Sequence, residues 1–159
     1  MTRQISRKFN HIYKLEFFPD PKAVLTKANR LLGLDGRKMS KSYNNYIALS
    51  EESDAIGKKV MSMFTDPARI KFTDAGHPEK CNVHSYYAVF SPERKKEIDE
   101  RCRKSEIGCV DCKKELAQIL IKYLEPIQEK RDGFLKDKTK ILDILGQGEK
   151  KAGKIASQT

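Results

Sequence analysis

The sequence lacks any long uninterrupted apolar segment, and no apolar signal-peptide core lies near its first residue. Because a membrane-crossing helix needs about 20 consecutive apolar residues, we expect no such helix, and we expect no export by a signal peptide. Internal repeats and low-complexity tracts are also missing. With 159 residues the chain can bury a core, so we expect one domain, or one domain with part of another.

Negative charge is scarce relative to positive charge. The chain has 32 Lys and Arg residues against 22 Asp and Glu residues, which gives a formal net charge of +10. Such an excess favours an anionic partner such as RNA or a nucleotide. A well-solvated basic surface would have the same composition, so charge alone does not distinguish the two interpretations.

Cysteine is scarce too, with four residues in the chain. Because we expect no export signal, the chain should stay in a reducing compartment, where disulfides seldom persist. The sequence therefore predicts a cytoplasmic protein whose cysteines are not paired with one another.

Helical patterns dominate, so the sequence predicts a mostly α-helical fold. Ser91-Pro92 is a typical helix start, with a capping residue followed by a proline at the first helical position, and predicts a helix to about Lys104. Apolar residues three and four apart predict a long helix from Asp111, which Pro126 should kink. Other helices are expected at residues 2–14, at about 51–64 after a Ser50 cap, and near 83–90, while residues 23–32 fit a strand or a helix.

One stretch, Gly33–Asn45, has no apolar periodicity of either kind and is predicted to be a loop. Gly33 and Gly36 bracket an aspartate, and two lysines, Lys38 and Lys41, follow at once. A loop that presents several N–H groups and two ammonium ions suits the binding of phosphate. A solvated connection between helices could also have this composition.

The residues Lys38-Met39-Ser40-Lys41-Ser42 resemble, letter for letter, the KMSKS signature of class I aminoacyl-tRNA synthetases. The flanking Gly-Leu-Asp-Gly-Arg and Tyr-Asn-Asn are similar to the corresponding loop of bacterial tryptophanyl-tRNA synthetases. Essentially the whole chain resembles that family, with Leu32 as a departure because Pro is expected there. Three further segments contribute to the resemblance: Arg7–Asn10, Thr65–Ile70 and Pro78–Val83.

The resemblance implies an enzyme that activates L-tryptophan with ATP and Mg²⁺ and then transfers the tryptophanyl group to tRNA(Trp). Lys38 and Lys41 would be catalytic, because ammonium groups on the departing pyrophosphate stabilise its charge most in the transition state. The ATP-binding residues would be Lys38, Met39, Ser40, Lys41 and Ser42. Two alternatives are a tyrosyl-tRNA synthetase, which shares the architecture, and a non-catalytic module that binds tRNA or another RNA.

The resemblance also implies a domain plan. Residues 1–50 would be the end of a Rossmann-type catalytic domain that carries the KMSKS loop, and residues 51–159 a helical-bundle anticodon-binding domain. The other class I signature, of the His-x-Gly-His type, is missing, because none of the three histidines has that context. We therefore expect a C-terminal portion of the enzyme, inactive alone because the upstream nucleotide and tryptophan pocket is absent, and a full-length homodimer.

The four cysteines, Cys81, Cys102, Cys109 and Cys112, are separated by twenty, six and two residues. Clustered thiolates bind iron–sulfur clusters or zinc, and cysteines are also common as small core residues, so these interpretations stay open. The order of spacings resembles the 4Fe–4S motif of a subset of bacterial tryptophanyl-tRNA synthetases, in which the first interval is slightly longer. That resemblance implies a 4Fe–4S cluster on all four cysteines, with structural Zn²⁺ as the alternative and no catalytic metal.

Overall fold

The structure is a computed structural model that describes residues 1–25 and 31–158. Two short 3-10 turns lie at Lys41–Tyr43 and Pro78–Lys80, and β pairing within the described ranges is limited to an isolated bridge between Leu32 and Lys38. The predicted mostly helical fold is confirmed, while residues 26–30 of the ambiguous 23–32 segment lie outside the described residues. The helices are α1 (Thr2–Tyr13), α2 (Ser53–Met61), α3 (Asn82–Phe90), α4 (Pro92–Arg103), α5 (Cys109–Lys136) and α6 (Lys138–Ala156).

The chain divides into two compact units, Met1–Arg30 and Leu31–Thr159. In the first unit, α1 ends at Lys14, whose backbone is left-handed with φ 52°. The side chain of Asn10 then donates to the carbonyl of Phe18 at 2.7 Å and accepts from the Phe18 amide at 3.0 Å. This pair of hydrogen bonds fixes the extended return segment beside the helix. The predicted helix at residues 2–14 is confirmed within one residue.

The core of the second unit lies among α2, α3, α4 and α5. Its largest fully buried side chains include Tyr87 from α3, Ile98 from α4 and Leu116 from α5. Ile56 and Val60, four residues apart on α2, are both completely buried. Because residues four apart share a helix face, this spacing turns one face of α2 toward α5.

The predicted start of α4 is confirmed, whereas the predicted start of α2 is not. Helix α4 begins at Pro92, as the Ser91-Pro92 pair predicts, and Pro126 is accommodated inside α5. The Ser50 cap of α2 was wrong, because Glu52 is the capping residue. The Glu51 carboxylate instead accepts from the Ala48 amide at 3.1 Å and pairs with Lys59 at 2.6 Å, so it orders the chain before the helix.

Helix α6 differs from the core helices because none of its side chains is buried. Asp137 caps its first turn by accepting from the Lys140 amide at 3.2 Å. Leu142 and Leu145 are 67% and 63% exposed on its surface. In the part of the chain that the structure describes, no helix has both the length and the apolar character needed to cross a membrane.

Candidate functional site

The stretch Gly33–Asn45, called the lysine loop below, begins with a tight turn whose backbone conformation favours glycine. The Gly33 amide donates to the Arg37 carbonyl at 2.7 Å, and the Gly36 amide donates to the Gly33 carbonyl at 3.0 Å. Gly36 has a φ of 77°, a conformation that L side chains rarely adopt. The turn reverses the chain direction, and the antiparallel bridge between Leu32 and Lys38 fixes the backbone of Lys38 beside Leu32.

Asn45 closes the loop from the inside, and its side chain is 4% exposed. Its Oδ1 accepts from the Ser40 amide at 2.8 Å, and its Nδ2 donates to the Lys38 carbonyl at 3.2 Å and to Asp35 Oδ1 at 2.7 Å. The Leu34 amide also donates to the Asn45 carbonyl at 2.8 Å. Asn45 therefore holds the start of the lysine loop at Leu34 and Asp35 next to its middle at Lys38 and Ser40.

Lys38 and Lys41 are both exposed, and neither lies within 4 Å of a carboxylate oxygen in the described ranges. Ser40 has an extended backbone and caps the turn Lys41–Tyr43, because its hydroxyl accepts from the Ser42 amide at 3.2 Å. Lys41 is thus the first residue of a short turn, whereas Lys38 belongs to the preceding bridge. The arrangement leaves two ammonium groups free to meet an anion.

Met39 connects the loop to the helical core. It lines an apolar cavity of about 90 Å³ with residues from α3 and α5. Its neighbours around this cavity include Ile47, Tyr86, Phe90, Leu120 and Leu124. The side chain between the two lysines therefore faces apolar groups while the lysines face solvent.

Asp35 is the acidic centre of the loop. Hydrogen bonding to Asn45, together with the amide and guanidinium of Arg37, lowers the pKa of Asp35 to about 2. Arg37 Nε donates to Asp35 Oδ2 at 2.8 Å, and its guanidinium lies 4.8 Å from the centre of the Tyr43 ring. Asp35 is therefore a carboxylate at neutral pH, and Arg37 neutralises it.

The four cysteines line one small cavity in the second unit. Cys81 immediately precedes α3, Cys102 lies in the last turn of α4, and Cys109 and Cys112 lie in the first turn of α5. Cys81, Cys102 and Cys112 are buried and Cys109 is half-buried. The cavity has a volume of about 10 Å³, which is close to the space that one water molecule needs.

Burial dominates the electrostatics of these thiols. It raises the pKa of Cys81 and Cys102 and raises the pKa of Cys112 to about 12. Two groups oppose this effect: the Arg69 guanidinium lies 3.7 Å from Cys102 Sγ, and backbone N–H groups of His84, Val83 and Asp66 favour a charged sulfur at Cys81. The raised pKa values favour the protonated thiols of Cys81, Cys102 and Cys112, so a metal would have to displace their protons.

The arrangement does not converge on one point. In the part of the chain that the structure describes, no three Cys, His, Asp or Glu side chains are placed to hold a single metal ion. Gly76 also approaches the cavity closely, because a Cβ on it would lie 2.3 Å from Cys102 Sγ. The four cysteines therefore line one cavity, and their role as metal ligands stays a prediction.

Next to the cavity lies a buried ionic group that sequence reasoning missed. His84 is 3% exposed, and its Nδ1 lies 2.5 Å from Asp99 Oδ1, while Lys95 pairs with the other Asp99 oxygen. Burial lowers the pKa of His84 although Asp99 opposes the shift. The histidine at position 84 and the acid at 99 belong to different predicted helices, so only the fold brings them together.

The basic residues of α4 and α5 are mostly paired. Arg94 and Arg101 reach Glu115 at 2.7 and 3.8 Å, and Arg103 reaches Glu79 at 2.9 Å. Lys113 donates to the Met61 carbonyl at 2.8 Å. Among the described residues, Lys96 and Lys104 are exposed without an ion-pair partner within 4 Å. Several of the basic residues near the cysteines therefore form contacts within the chain.

Comparison with known proteins identifies the class to which this loop and fold belong. Residues 1–125 match the family model for tRNA synthetases class I (W and Y). The chain therefore belongs to the class I tRNA synthetases of this tryptophan and tyrosine family.

Similar curated proteins include bacterial tryptophan–tRNA ligases. The chain is 43% identical over 161 residues to the Aquifex aeolicus ligase, covering 100% of this chain and 40% of the relative. It is 42% identical over 161 residues to the Thermotoga maritima ligase, covering 100% of this chain and 49% of the relative. The chain thus spans about half or less of the length of these relatives.

A solved structure has the same fold. Tryptophanyl-tRNA synthetase from Campylobacter jejuni, complexed with ADP and tryptophan, matches with a TM-score of 0.76 and 30% sequence identity. The match covers 98% of this chain and 49% of the solved chain. The helical arrangement described above is therefore that of part of a tryptophanyl-tRNA synthetase.

Proposed function

We propose that this chain is the part of a tryptophan–tRNA ligase that contacts the pyrophosphate of ATP and the anticodon region of tRNA(Trp). Its KMSKS-like loop would end a Rossmann-type catalytic domain in residues 1–50, and residues 51–159 would form the anticodon-binding domain. The observation that carries the proposal is a loop with two exposed lysines that have no ion-pair partner among residues 1–25 and 31–158, on a backbone held by Asn45. Tryptophan as the substrate rests on the relatives, since the family model includes tyrosine enzymes.

The chemistry that the loop would support is nucleotidyl transfer. A carboxylate oxygen of tryptophan attacks the α-phosphorus of ATP, the bond to the bridging β-phosphate oxygen breaks, and pyrophosphate leaves with the electron pair. Lys38 and Lys41 would donate hydrogen bonds to the pyrophosphate oxygens as their charge increases, which lowers the barrier if the contacts tighten in the transition state. Mg²⁺ bound to the phosphates would supply further charge neutralisation.

The remaining residues of the signature would have positioning roles. Ser40 and Ser42 shape the turn that presents Lys41, and Met39 holds the loop against the apolar cavity beside α3 and α5. The tryptophan pocket and the adenine site would come from the half of the enzyme that this chain does not span. Alone, the chain would bind phosphate without forming the adenylate, because the reactants would not be held together.

The tRNA contact is a second component of the proposal. The exposed Lys96 and Lys104 of the α4 region are better candidates for phosphate contacts than their paired neighbours. A filter-binding titration with tRNA(Trp) at increasing salt should show weakening affinity, and Lys96→Ala with Lys104→Ala should lower the salt slope. A salt-independent affinity would contradict this contact. We also propose the cytoplasm as the location and a homodimer as the complete enzyme.

We propose an iron–sulfur cluster for the cysteine cavity, with structural zinc as the alternative. In a cubane cluster each thiolate binds a different iron, so the sulfurs surround a volume instead of converging on one atom. The four-cysteine donor set around one space supports this proposal. The present volume of about 10 Å³ requires the cysteine side chains to move outward on loading. Arg69 would then offset negative charge on the cluster sulfurs.

Anaerobic reconstitution tests the cluster directly. The chain should take up iron and acid-labile sulfide in equal amounts and gain the visible absorbance of a cubane cluster, and Cys112→Ser should prevent both. Stoichiometric zinc binding without sulfide would indicate the structural zinc site instead. Uptake of neither metal would leave the cysteines as core residues and overturn the cluster.

Amino-acid-dependent ATP–pyrophosphate exchange tests the enzymatic proposal. The chain would be joined to the half of the Thermotoga maritima ligase that it does not cover, and cooperative unfolding would establish that the fusion is folded. Tryptophan-dependent exchange is the expected result, and the amino-acid pocket of the fusion comes from the Thermotoga maritima half. A preference for tRNA(Tyr) over tRNA(Trp) in the filter-binding titration would therefore indicate the tyrosine enzyme, and a folded fusion without exchange that still binds tRNA would indicate the non-catalytic module.

A further inference from the structure

Helix α3 holds the lysine loop through a second buried asparagine. Asn82, at the first position of α3, is 4% exposed, and its Nδ2 donates to the Gly33 carbonyl at 2.7 Å. Tyr86, one helical turn later, donates its hydroxyl proton to the Leu32 carbonyl at 2.8 Å. Asn82 and Tyr86, which lie on one face of α3, therefore donate hydrogen bonds to the carbonyls of two consecutive residues at the start of the loop.

The two asparagines meet at Gly33. Asn82 bonds the Gly33 carbonyl, and the side chain of Asn45 packs so closely on Gly33 that a Cβ there would lie 2.2 Å from Asn45 Nδ2. From Asn45 the contacts continue to the Lys38 carbonyl and the Ser40 amide. A continuous set of hydrogen bonds and one tight contact thus connects the helical core to the backbone of the lysine segment.

An amide is the side chain that this geometry requires at position 45. Asn45 must accept from the Ser40 amide and donate to both the Lys38 carbonyl and the Asp35 carboxylate. A carboxylate could still accept from Ser40, but it would repel Asp35 and leave the Lys38 carbonyl without its donor. A buried polar group that loses its partner costs free energy, so the loop would shift away from this position.

We propose that Asn45 and Asn82 are positioning residues for the reaction assigned above: they hold the backbone at Lys38 and Ser40 so that both ammonium groups meet the departing pyrophosphate. The inference rests on the proposed function of the loop. Neither asparagine touches substrate, since both act through the backbone of the loop. The consequence is that their loss weakens transition-state contacts while tryptophan binding, which uses the other half of the enzyme, stays unchanged.

The decisive variant is Asn45→Asp, and the adjacent Asn44→Asp is its matched control. Asn44 has an exposed side chain and a left-handed backbone with φ 50°, which aspartate tolerates. Both variants add one negative charge at neighbouring positions of the same loop. An effect of charge alone would appear in both, whereas an effect of the lost donor would appear in Asn45→Asp only.

The first readout is independent of catalysis. In this chain, hydrogen exchange at the Ser40 amide should accelerate about tenfold or more in Asn45→Asp and change little in Asn44→Asp. Asn82→Ala, which removes one donor from outside the loop, should accelerate exchange at the Gly33–Gly36 turn. Because an aspartate could keep the Ser40 contact, Asn45→Ala, which removes the acceptor and the donor together, is measured as well. If Ser40 exchange is the same in both variants and the parent, the side chain does not hold the loop and the proposal is overturned. Should Asn45→Asp fail to fold, Asn82→Ala decides the question with the same readout at Gly36.

The second readout is the exchange reaction of the fused enzyme. Asn45→Asp should lower kcat about tenfold or more with the KM for tryptophan unchanged, and Asn44→Asp should stay within about twofold of the parent. If Lys38→Ala abolishes exchange while Asn45→Asp leaves kcat unaltered, the positioning role is wrong and the function of the loop stands. If Lys38→Ala has no effect, the proposed function fails, and the hydrogen-exchange result still reports whether Asn45 holds the loop.

Discussion

The lysine loop and the cysteine cavity achieve order in opposite ways. The loop is exposed, yet Asn45, Asp35 and Gly33 give it a closed set of hydrogen bonds without any ligand. The cavity is buried, and burial raises the pKa of three of its four thiols although Arg69 and backbone N–H groups oppose that shift. We propose that the loop binds an anion reversibly and that the cavity holds a ligand permanently.

Gly33→Ala should have the largest effect, because a Cβ would lie 2.2 Å from Asn45 Nδ2 and would break the closure of the loop. We expect a loss of about 1–3 kcal/mol in the free energy of unfolding, from crowding of a packed site. Gly57→Ala in α2 is the matched control, since a Cβ there meets nothing within 4 Å. That substitution should stabilise the chain by up to about 1 kcal/mol. Urea unfolding measures both, and equal effects would contradict the tight contact.

Cys112→Ser should have the next largest effect on stability, and its effect should differ between the metal-free and the metal-loaded chain. Without metal, it places a hydroxyl in a site where Cys112 is 5% exposed, at a cost of about 1–3 kcal/mol. Cys109→Ser, at a half-buried position, should cost clearly less. On anaerobic iron loading the parent should gain thermal stability and neither variant should, because each removes one cluster ligand. Thermal unfolding before and after loading checks this, and a gain in Cys109→Ser as large as that of the parent would contradict a shared ligand role.

The pH dependence of the loop should be smaller and confined to acid. The folded-state pKa of Asp35 is lowered to about 2 from an ordinary value of 3.8. A depressed carboxyl pKa contributes stability above the unfolded value and loses it as pH falls through the folded value. The parent should therefore exceed Asp35→Asn in stability at pH 5, and the difference should narrow between pH 3.8 and about 2. A difference that is constant across this range would refute the charged contact.

Glu79→Gln should have the smallest effect. Glu79 and Arg103 form an ion pair at 2.9 Å, and both side chains are 54% exposed. Exposed pairs of this kind contribute little because solvent screens them, so we expect no resolvable change in the free energy of unfolding. Urea unfolding measures it. A resolvable loss would mean that surface ion pairs, and not the two regions compared above, account for the order near the cavity.

The sequence predicted much of the fold because its signals are local. The Ser91-Pro92 start of α4 and the periodic apolar residues of α5 need only neighbouring residues to take effect. The Ser50 cap failed because Glu51 forms contacts with Ala48 and Lys59 that compete with capping. A local capping preference of about 1 kcal/mol is easily overridden by such contacts.

The site was predicted less completely. The signature predicts catalytic roles for Lys38 and Lys41, and the resemblance predicts a ligand set of four cysteines; both roles stay predictions. The roles of Asn45 and Asn82 depend on contacts across 5 to 49 residues, which no local pattern encodes. The ion pairs of Arg94 with Glu115 and of Arg103 with Glu79 could not be predicted from local patterns either. They reduce the number of unpaired basic side chains below what the composition indicates.

The central claim is that Lys38 and Lys41 stabilise the departing pyrophosphate, and steady-state exchange kinetics of the fused enzyme test it most directly. Lys38→Ala and Lys41→Ala should each lower kcat about 10²–10³-fold while the KM for tryptophan stays constant. Lys80→Ala, at an exposed position in the turn Pro78–Lys80, serves as the control and should leave kcat within about twofold. Full exchange activity in both loop variants would contradict the account.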